Sequence, residues 1–266
     1  TDYNKPFYGV YMIDMHVHTN FSEDSKVLLE DYCAFALKKG VKYICFTDHV
    51  DFNPADAGLN YYKVDDFFES FYKVKKQYKD ALNLLAGIEF GEPHLYMKEF
   101  EHYCTYPYDY IMGSIHYFYN NMFLSQMVKD NIDYKLAFKK YFEQLLLMVE
   151  YGNIDCVAHF DFPKRYYKKL YYEEETVRKI CATMLKRDIC LEINTSSIRK
   201  GMDQPMPGEE LLSIYKESGG EYITIGADTH ELSHLAADFD IAKDLANKFK
   251  LKNVIFIERK RVEVKI

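Results

Sequence analysis

Several features that mark specialised classes of protein are scarce or missing in this chain of 266 residues. It contains no tryptophan, and its 12 glycines and 7 prolines are too few for a collagen-like or low-complexity sequence. No apolar run approaches the ~18 residues that a bilayer span requires, and the amino-terminal residues show no basic stretch followed by an apolar one. Because 48% of the residues are hydrophobic and 28% are charged, we expect a soluble globular protein in the cytoplasm, with no membrane partner.

An excess of positive charge is also lacking. The 41 acidic residues outnumber the 34 Lys and Arg, which gives a formal net charge of -7. A field of this sign repels the phosphate backbone, so we expect no nucleic-acid partner. The cysteines form no Cys-x-x-Cys pair and stand mostly within apolar runs, which predicts buried free thiols in a reducing compartment. They are Cys33, Cys45, Cys104, Cys156, Cys181 and Cys190.

Seven short apolar segments rich in β-forming residues predict seven strands. They span residues 10–18, 43–49, 84–90, 110–118, 156–160, 190–196 and 222–230. Near-continuous apolar runs of this length are typical of parallel strands that are covered on both faces. Stretches with helical spacing separate most of them, over residues 26–39, 64–79, 136–149, 173–186, 208–217 and 234–250. The pattern predicts a repeated β/α unit, followed by a terminal strand or hairpin over residues 254–266.

Polar residues at the ends of the predicted strands distinguish an open doubly wound sheet from a closed barrel. An open sheet binds its ligand at one switch point, whereas a barrel collects its chemistry at the carboxyl ends of many strands. Here every predicted strand ends in polar residues, which are His16, His18, Asp48, His49, Glu89, His116, His159, Glu192, Asn194, Asp228 and His230. This favours a closed α/β barrel, and because no linker or charge block interrupts the chain, we expect a single domain over residues 1–266.

Two pairs of polar residues with i, i+2 spacing predict a metal centre. Alternate residues of a strand share one face, so His16 and His18 lie roughly 7 Å apart along the first strand. Asp228 and His230 repeat this spacing on the last strand. Imidazole combined with carboxylate suits zinc, manganese or iron. A single histidine at a strand end is more often structural than a ligand, but six of the nine histidines fall at such ends.

The chain contains, in this order, the segments DMHVHTNFSED, TDH, GIEF, GSIH, AHFD and GADTH. In this series it resembles the PHP (polymerase and histidinol phosphatase) superfamily, which implies a distorted TIM-like (β/α)7 barrel with two or three divalent ions. The resemblance implies that His16, His18, Glu89 and Asp228 hold one ion, that Glu89 bridges to a second ion held by His116 and His159, and that Asp24, His49 and His230 hold a third. Asp24 stands where many members have histidine, and its alternative role is in a helix N-terminal cap region.

Two arginines beyond the predicted strand ends suit the binding of phosphate. Arg165 in AHFDFPKRY and Arg199 in EINTSSIRK resemble positions in the histidinol-phosphatase branch of the family. The planar fork of a guanidinium matches phosphate oxygens, although a solvated basic loop is the alternative reading of the first segment. Asp48, directly before His49, is expected to support the ligands rather than to bind an ion.

The metal ligands and arginines predict a metal-dependent phosphomonoesterase, and the resemblance to the histidinol-phosphatase branch implies that it hydrolyses L-histidinol phosphate, a step of histidine biosynthesis. Arg165 and Arg199 are expected to bind the phosphate, and Asp24 and His230 to help the alkoxide leave. We expect Glu192 and Asn194 to contact the rest of the small-molecule substrate.

Three alternatives stay open. A PHP-type protein-tyrosine phosphatase would have a shallow mouth, whereas loops such as residues 53–62 would cover a small substrate. Another small-molecule phosphoesterase is the second alternative. A non-catalytic metal-binding regulatory protein is the alternative from another class. The sequence leaves the native metal, the oligomeric state and the exact substrate open.

Overall fold

The computed structural model describes residues 11–265. Its strands are β1 (Met12–Val17), β2 (Val41–Val50), β3 (Asn83–Gly91), β4 (Tyr110–Ser114), β5 (Tyr117–Tyr119), β6 (Met122–Phe123), β7 (Cys156–Val157), β8 (Cys190–Asn194), β9 (Tyr222–Gly226), β10 (Lys252–Ile257) and β11 (Lys260–Glu263). Its helices are α1 (Leu29–Lys39), α2 (Val64–Tyr78), α3 (Met97–Tyr103), α4 (Leu124–Lys129), α5 (Tyr134–Tyr151), α6 (Pro163–Tyr167), α7 (Glu174–Lys186), α8 (Ser196–Arg199), α9 (Glu209–Glu217) and α10 (Phe239–Lys248). None of the helices within residues 11–265 is long and apolar enough to cross a membrane.

Seven parallel strands form a distorted ring, as the sequence predicts. Their order is β1-β2-β3-β4-β7-β8-β9, and neighbouring strands pair in parallel throughout. The ring closes at its carboxyl end, where the His18 amide donates to the Thr229 carbonyl over 2.8 Å and the Thr229 amide donates to the His16 carbonyl over 3.1 Å. At the other end, the predicted tail hairpin β10–β11 continues the sheet from β9, and the Tyr11 amide donates to the Lys265 carbonyl. Residue 266, the last of the predicted hairpin, lies outside the described residues.

Two apolar layers enclose the strands. The larger lies between the strands and the surrounding helices, and the smaller fills the inside of the ring. Within the smaller layer, Tyr110 and Phe256 stack with ring centroids 5.2 Å apart, and Cys45, Cys156 and Cys190 are buried small side chains. All six cysteines are free thiols, as predicted, although Cys104 is only partly buried. The filled interior confines any ligand to the ends of the strands.

Helix α5 illustrates how local sequence sets the boundaries of these elements. The Asp133 carboxylate accepts hydrogen bonds from the amides of Lys135 and Leu136, which caps the first turn. The helix ends before Gly152, whose φ of 78° suits glycine best. Its buried face carries Phe138, Phe142 and Leu145, among other residues, at the spacing of one helical stripe.

Four strands, β4, β7, β8 and β9, end earlier than the apolar pattern predicts. In β4 and β7 the cause is a buried carboxylate that binds backbone amides beyond the strand. Glu92 accepts from the amides of His116 and Tyr117, so β4 stops at Ser114 instead of running to residue 118. Glu192 accepts from the His159 amide over 2.7 Å, so β7 covers only two residues. The short elements α3, α4, α6, α8 and the β5–β6 hairpin were not predicted, because they are too short to show a period.

Candidate metal centre

The nine predicted metal ligands meet at the carboxyl end of the ring. Their donor atoms form three overlapping groups, each with atoms within 4.8 Å of one another. The groups are His18, Asp24, His49 and His230, then His16, His18 and Asp228, and finally His49, Glu89 and His116. His159 completes the set, because its Nε2 lies 2.8 Å from Glu89 Oε1 and 3.4 Å from His116 Nε2.

Glu89 stands at the middle of this arrangement. It is 1% exposed, and both of its oxygens face imidazole nitrogens. Oε2 lies 3.1 Å from His16 Nε2, 3.3 Å from His49 Nδ1 and 3.4 Å from His18 Nε2, while Oε1 lies 3.5 Å from His116 Nε2. A carboxylate whose two oxygens serve separate sets of histidines has the geometry needed to bridge two ions, as the family resemblance implies.

The electrostatics of the cluster favour the metal-binding forms of Glu89, Asp228 and His18, whereas neighbouring carboxylates raise the pKa of His16 and His116, which would have to lose a proton to bind an ion. Burial alone would raise the pKa of Glu89, but His16 and His49 lower it well below its usual range. Burial also opposes the charge on Asp228, whose pKa is nevertheless well lowered, chiefly by His16 and His230. Burial and the neighbouring imidazoles of His230 and His49 lower the pKa of His18 well below its usual range. Carboxylates are therefore ionised and His18 is neutral, which are the forms that coordinate cations.

Two ring nitrogens supply an independent test of whether the cluster fits an ion. His18 Nε2 and His49 Nδ1 are buried and have no hydrogen-bond partner among the described residues. His18 Nε2 instead points between Glu89 Oε2 at 3.4 Å and Asp228 Oδ1 at 3.6 Å. Leaving such polar atoms unpaired is costly, whereas a divalent ion would satisfy a nitrogen and two carboxylates together. The donor set of imidazole and carboxylate fits zinc, manganese or iron.

Other buried groups orient these ligands from behind. Asp48 accepts from the Ser22 hydroxyl over 2.9 Å, and the Ser22 oxygen lies 3.1 Å from His18 Nδ1. The Ser22 oxygen also accepts from the His49 amide. Asp48 thus occupies the supporting position predicted for it, because fixing one ring nitrogen directs the other toward the centre.

Glu192 and Asn194 lie elsewhere than predicted. We expected both to contact substrate, but neither lines the cavity at the mouth of the ring, and both are fully buried. Glu192 Oε1 lies 2.6 Å from His16 Nδ1, and Asn194 Nδ2 donates to Glu192 Oε2. The carboxylate is held beneath the metal ligands because β8 directs it toward His16 and the His159 amide. Its function in this position is to orient His16 and to raise the pKa of that imidazole against the effect of burial.

Gly226 provides a test of this support, because a side chain there would collide with both partners. A Cβ atom on Gly226 would overlap Glu192 Oε1 and His16 Cβ. We expect Gly226→Ala to destabilise the fold by about 1–3 kcal/mol, as overpacking does. Because the clash displaces a ligand and the group behind it, metal affinity should also fall about 10–100-fold. Denaturant unfolding and metal titration measure the two effects, and unchanged values for both would contradict the packing described here.

The two predicted phosphate-binding arginines differ in their access to the centre. Arg165 lines the cavity, and its Nη1 donates to Asp228 Oδ2 over 3.1 Å and to Ser196 Oγ over 3.4 Å. Arg199 does not line the cavity and donates to the backbone carbonyls of Ala227 and Asp228. Only Arg165 therefore presents its guanidinium directly to a ligand in the cavity, while Arg199 fixes the backbone that carries Asp228.

A cavity of about 170 Å³ opens at this end of the ring. Aromatic side chains of Phe123, Phe162 and Tyr166 form part of its wall. Three acidic residues that sequence reasoning did not single out, Glu23, Asp51 and Asp56, also line it. Asp51 follows His49 at i+2, directly after β2 ends at Val50, and this spacing could have identified it.

Fold and site together define a class of protein, the α/β barrel with a multi-metal centre at the carboxyl ends of its strands. The chain belongs to the PHP domain family, whose family model matches residues 14–196.

Relatives of known name cover almost the whole chain. It is 29% identical over 259 residues to a probable histidinol-phosphatase of Clostridium acetobutylicum, an alignment that covers 93% of this chain and 98% of the relative. It is 27% identical to a probable histidinol-phosphatase of Thermotoga maritima, with 96% of this chain and 100% of the relative covered. Its fold resembles the crystal structure of the histidinol phosphate phosphatase of Lactococcus lactis in complex with zinc, L-histidinol and phosphate. That likeness has a TM-score of 0.79 at 22% identity and covers 96% of this chain and 100% of the other.

Proposed function

We propose that this protein is a metal-dependent phosphomonoesterase that hydrolyses L-histidinol phosphate to L-histidinol and inorganic phosphate. The observation that carries the proposal is the presence of the Arg165 guanidinium in the same cavity as the metal-ligand candidates Glu89 and Asp228. Hydrolysis of a phosphate ester needs both a guanidinium and metal ions, since both stabilise the charge on the phosphate oxygens. The named relatives support the choice of substrate.

The nine ligand candidates would hold two or three divalent ions, which supply the Lewis acidity that activates water and stabilises phosphoryl charge. Arg165 binds non-reacting phosphate oxygens through its planar fork. Asp228 and Ser196 hold that guanidinium in place at the cavity wall.

The Asp24–His230 pair is the proposed source of the proton for the leaving alcohol. Burial opposes protonation of His230, but Asp24, 3.0 Å from its Nε2, and Asp228 raise its pKa above the ordinary value. If the other candidates hold two ions, His230 is free to keep a proton at the cavity surface. Both residues line the cavity, so a leaving alkoxide there could receive that proton.

We propose that the protein acts in the cytoplasm and that residues 1–266 form one domain. The net charge of -7 argues against a nucleic-acid partner, because a negative protein repels the phosphate backbone.

The decisive experiment compares substrates on protein of measured metal content. Phosphate release should be fastest, as kcat/KM, with L-histidinol phosphate, and slower with a phosphotyrosyl peptide or a mononucleotide. The small size of the cavity favours this order, because about 170 Å³ suits a small ester better than a folded protein. Cleavage of the peptide alone would identify a protein phosphatase instead, and a metal-loaded protein that cleaves none of the three would contradict the proposal.

A further inference from the structure

A buried ion pair precedes Arg165 in the chain. Asp161 is fully buried, and Lys164 is only 6% exposed. Lys164 Nζ lies 2.8 Å from Asp161 Oδ2, and Lys164 is the only cation in residues 11–265 that pairs with this carboxylate. Charged side chains are almost never fully buried unless they are paired, so each of these two depends on the other.

Burial of this pair contributes little to the stability of the fold. The cost of removing two charges from water largely offsets their attraction, and apolar side chains of similar volume often serve as well in an interior. The Lys140–Glu143 pair on α5 has the same i, i+3 spacing, but its side chains are 37% and 41% exposed, so it avoids most of that cost. A buried pair of this kind points to a role in fixing geometry.

Lys164 fastens α6 at two points. Besides the ion pair with Asp161 at the start of the helix, its Nζ donates to the Pro205 carbonyl over 2.8 Å, in the loop that follows α8. The Lys164 amide also donates to the Asp161 carbonyl over 2.9 Å. Helix α6 has only 5 residues, too few to be stable in isolation, so these anchors set its position.

The next residue on this helix is the phosphate-binding candidate Arg165. Arg165 lines the cavity, whereas Asp161 and Lys164 do not. Successive residues of a helix point in different directions, so Lys164 can hold α6 from the interior while Arg165 faces a ligand. Asp228 and Ser196 hold the guanidinium itself. The ion pair holds the backbone from which that side chain extends.

We propose that Asp161 and Lys164 are positioning residues that set Arg165 against the phosphate group of the substrate. The inference rests on the proposed function, because Arg165 is the phosphate-binding cation of that reaction. A guanidinium on an anchored backbone keeps its orientation and loses little entropy when phosphate binds. Since a misplacement of about 1 Å can cost about 100-fold in rate, a pair that never touches substrate can control turnover.

The test removes both charges together and asks whether the effect requires Arg165. The double variant Asp161→Asn/Lys164→Met leaves no lone charge in the interior, so the fold should be retained. Its Kd for inorganic phosphate, measured by calorimetric titration of metal-loaded protein, should rise about 10–100-fold, and kcat/KM for L-histidinol phosphate should fall by the same factor. In an Arg165→Met background the same two substitutions should change the phosphate Kd by less than about twofold. Metal content should match that of wild type.

Two further variants control for folding and for loss of charge. Lys140→Met/Glu143→Gln removes the more exposed pair of the same spacing and should keep the wild-type phosphate Kd. Asp161→Asn alone changes almost no volume and keeps the bond from Lys164 to the Pro205 carbonyl. If the double variant does not fold, this single variant should show the same dependence on Arg165.

An equal effect with and without Arg165 would overturn the proposal, because the ion pair would then act on the fold as a whole. An unchanged phosphate Kd in the double variant, or loss of metal from it, would overturn the proposal as well. Failure of wild-type protein to cleave L-histidinol phosphate is a different result. It would contradict the proposed function, while the comparison of phosphate Kd values would still test the positioning of Arg165.

Discussion

Glu89→Gln is expected to remove most of the bound metal and to lower kcat/KM for phosphate release by at least about 10³-fold. The size of the effect follows from the several kcal/mol that metal ions contribute to transition-state charge, since each 1.36 kcal/mol is a factor of ten. Glu89 meets five imidazoles through its two oxygens, and glutamine replaces one of those oxygens by a hydrogen-bond donor. Metal analysis after dialysis and a phosphate-release assay measure the two losses together.

The design of this substitution separates chemistry from folding. Glutamine has nearly the volume of glutamate, so the packing around β3 should change little. Glu101→Gln makes the same replacement at an exposed position on α3 and should keep wild-type metal content and rate. A Glu89→Gln protein that is folded, retains its full complement of ions and turns over normally would disprove the central role of this carboxylate.

The ring of parallel strands could be predicted from the sequence because each strand carries two independent signals. One is a short apolar run, and the other is a polar residue at its end, as with His159 after β7. The i, i+2 spacing of His16 and His18 puts both side chains on one face of a single strand, so it does not depend on the rest of the fold. Convergence of Glu89 with these histidines was expected from the family resemblance, and the described structure brings them within 3.4 Å.

Features that depend on which long-range partner a polar residue meets could not be predicted in the same way. Glu192 lies near the end of its strand, as a substrate contact would, but its side chain hydrogen-bonds to His16 and lies beneath the metal-ligand candidates. Arg199 likewise follows a strand, yet its guanidinium donates a hydrogen bond to the backbone carbonyl of Asp228. A sequence gives the position of such a side chain along its strand. Whether the side chain enters the cavity or the protein interior depends on hydrogen-bond partners that are more than a hundred residues away or on adjacent strands.

Arg165→Met is expected to lower kcat/KM for L-histidinol phosphate by about 10²–10³-fold, the usual cost of removing one preorganised donor from developing charge. The side chain is 20% exposed, and its guanidinium lies over the rings of Phe162 and Tyr166 at 5.5 and 5.8 Å, so it is held in position before substrate binds. Metal content should be retained, because His16 and His230 also hold the pKa of Asp228 down. Arg165→Lys should recover only part of the rate, since an ammonium keeps the charge but loses the planar fork.

Comparison of Arg165 with Arg199 makes this last prediction specific to the cavity. Arg199→Met should have the smaller effect on inhibition by inorganic phosphate, because Arg199 does not line the cavity and acts on the backbone of Asp228. The exposed Arg178→Met, in which a surface ion pair with Glu217 is lost, should leave both rate and inhibition unchanged. If Arg199→Met weakened phosphate inhibition more than Arg165→Met did, the assignment of the phosphate clamp to Arg165 would be wrong. Phosphate itself is the sharpest probe for this comparison, because it contains the group that Arg165 is proposed to bind and no other part of the substrate.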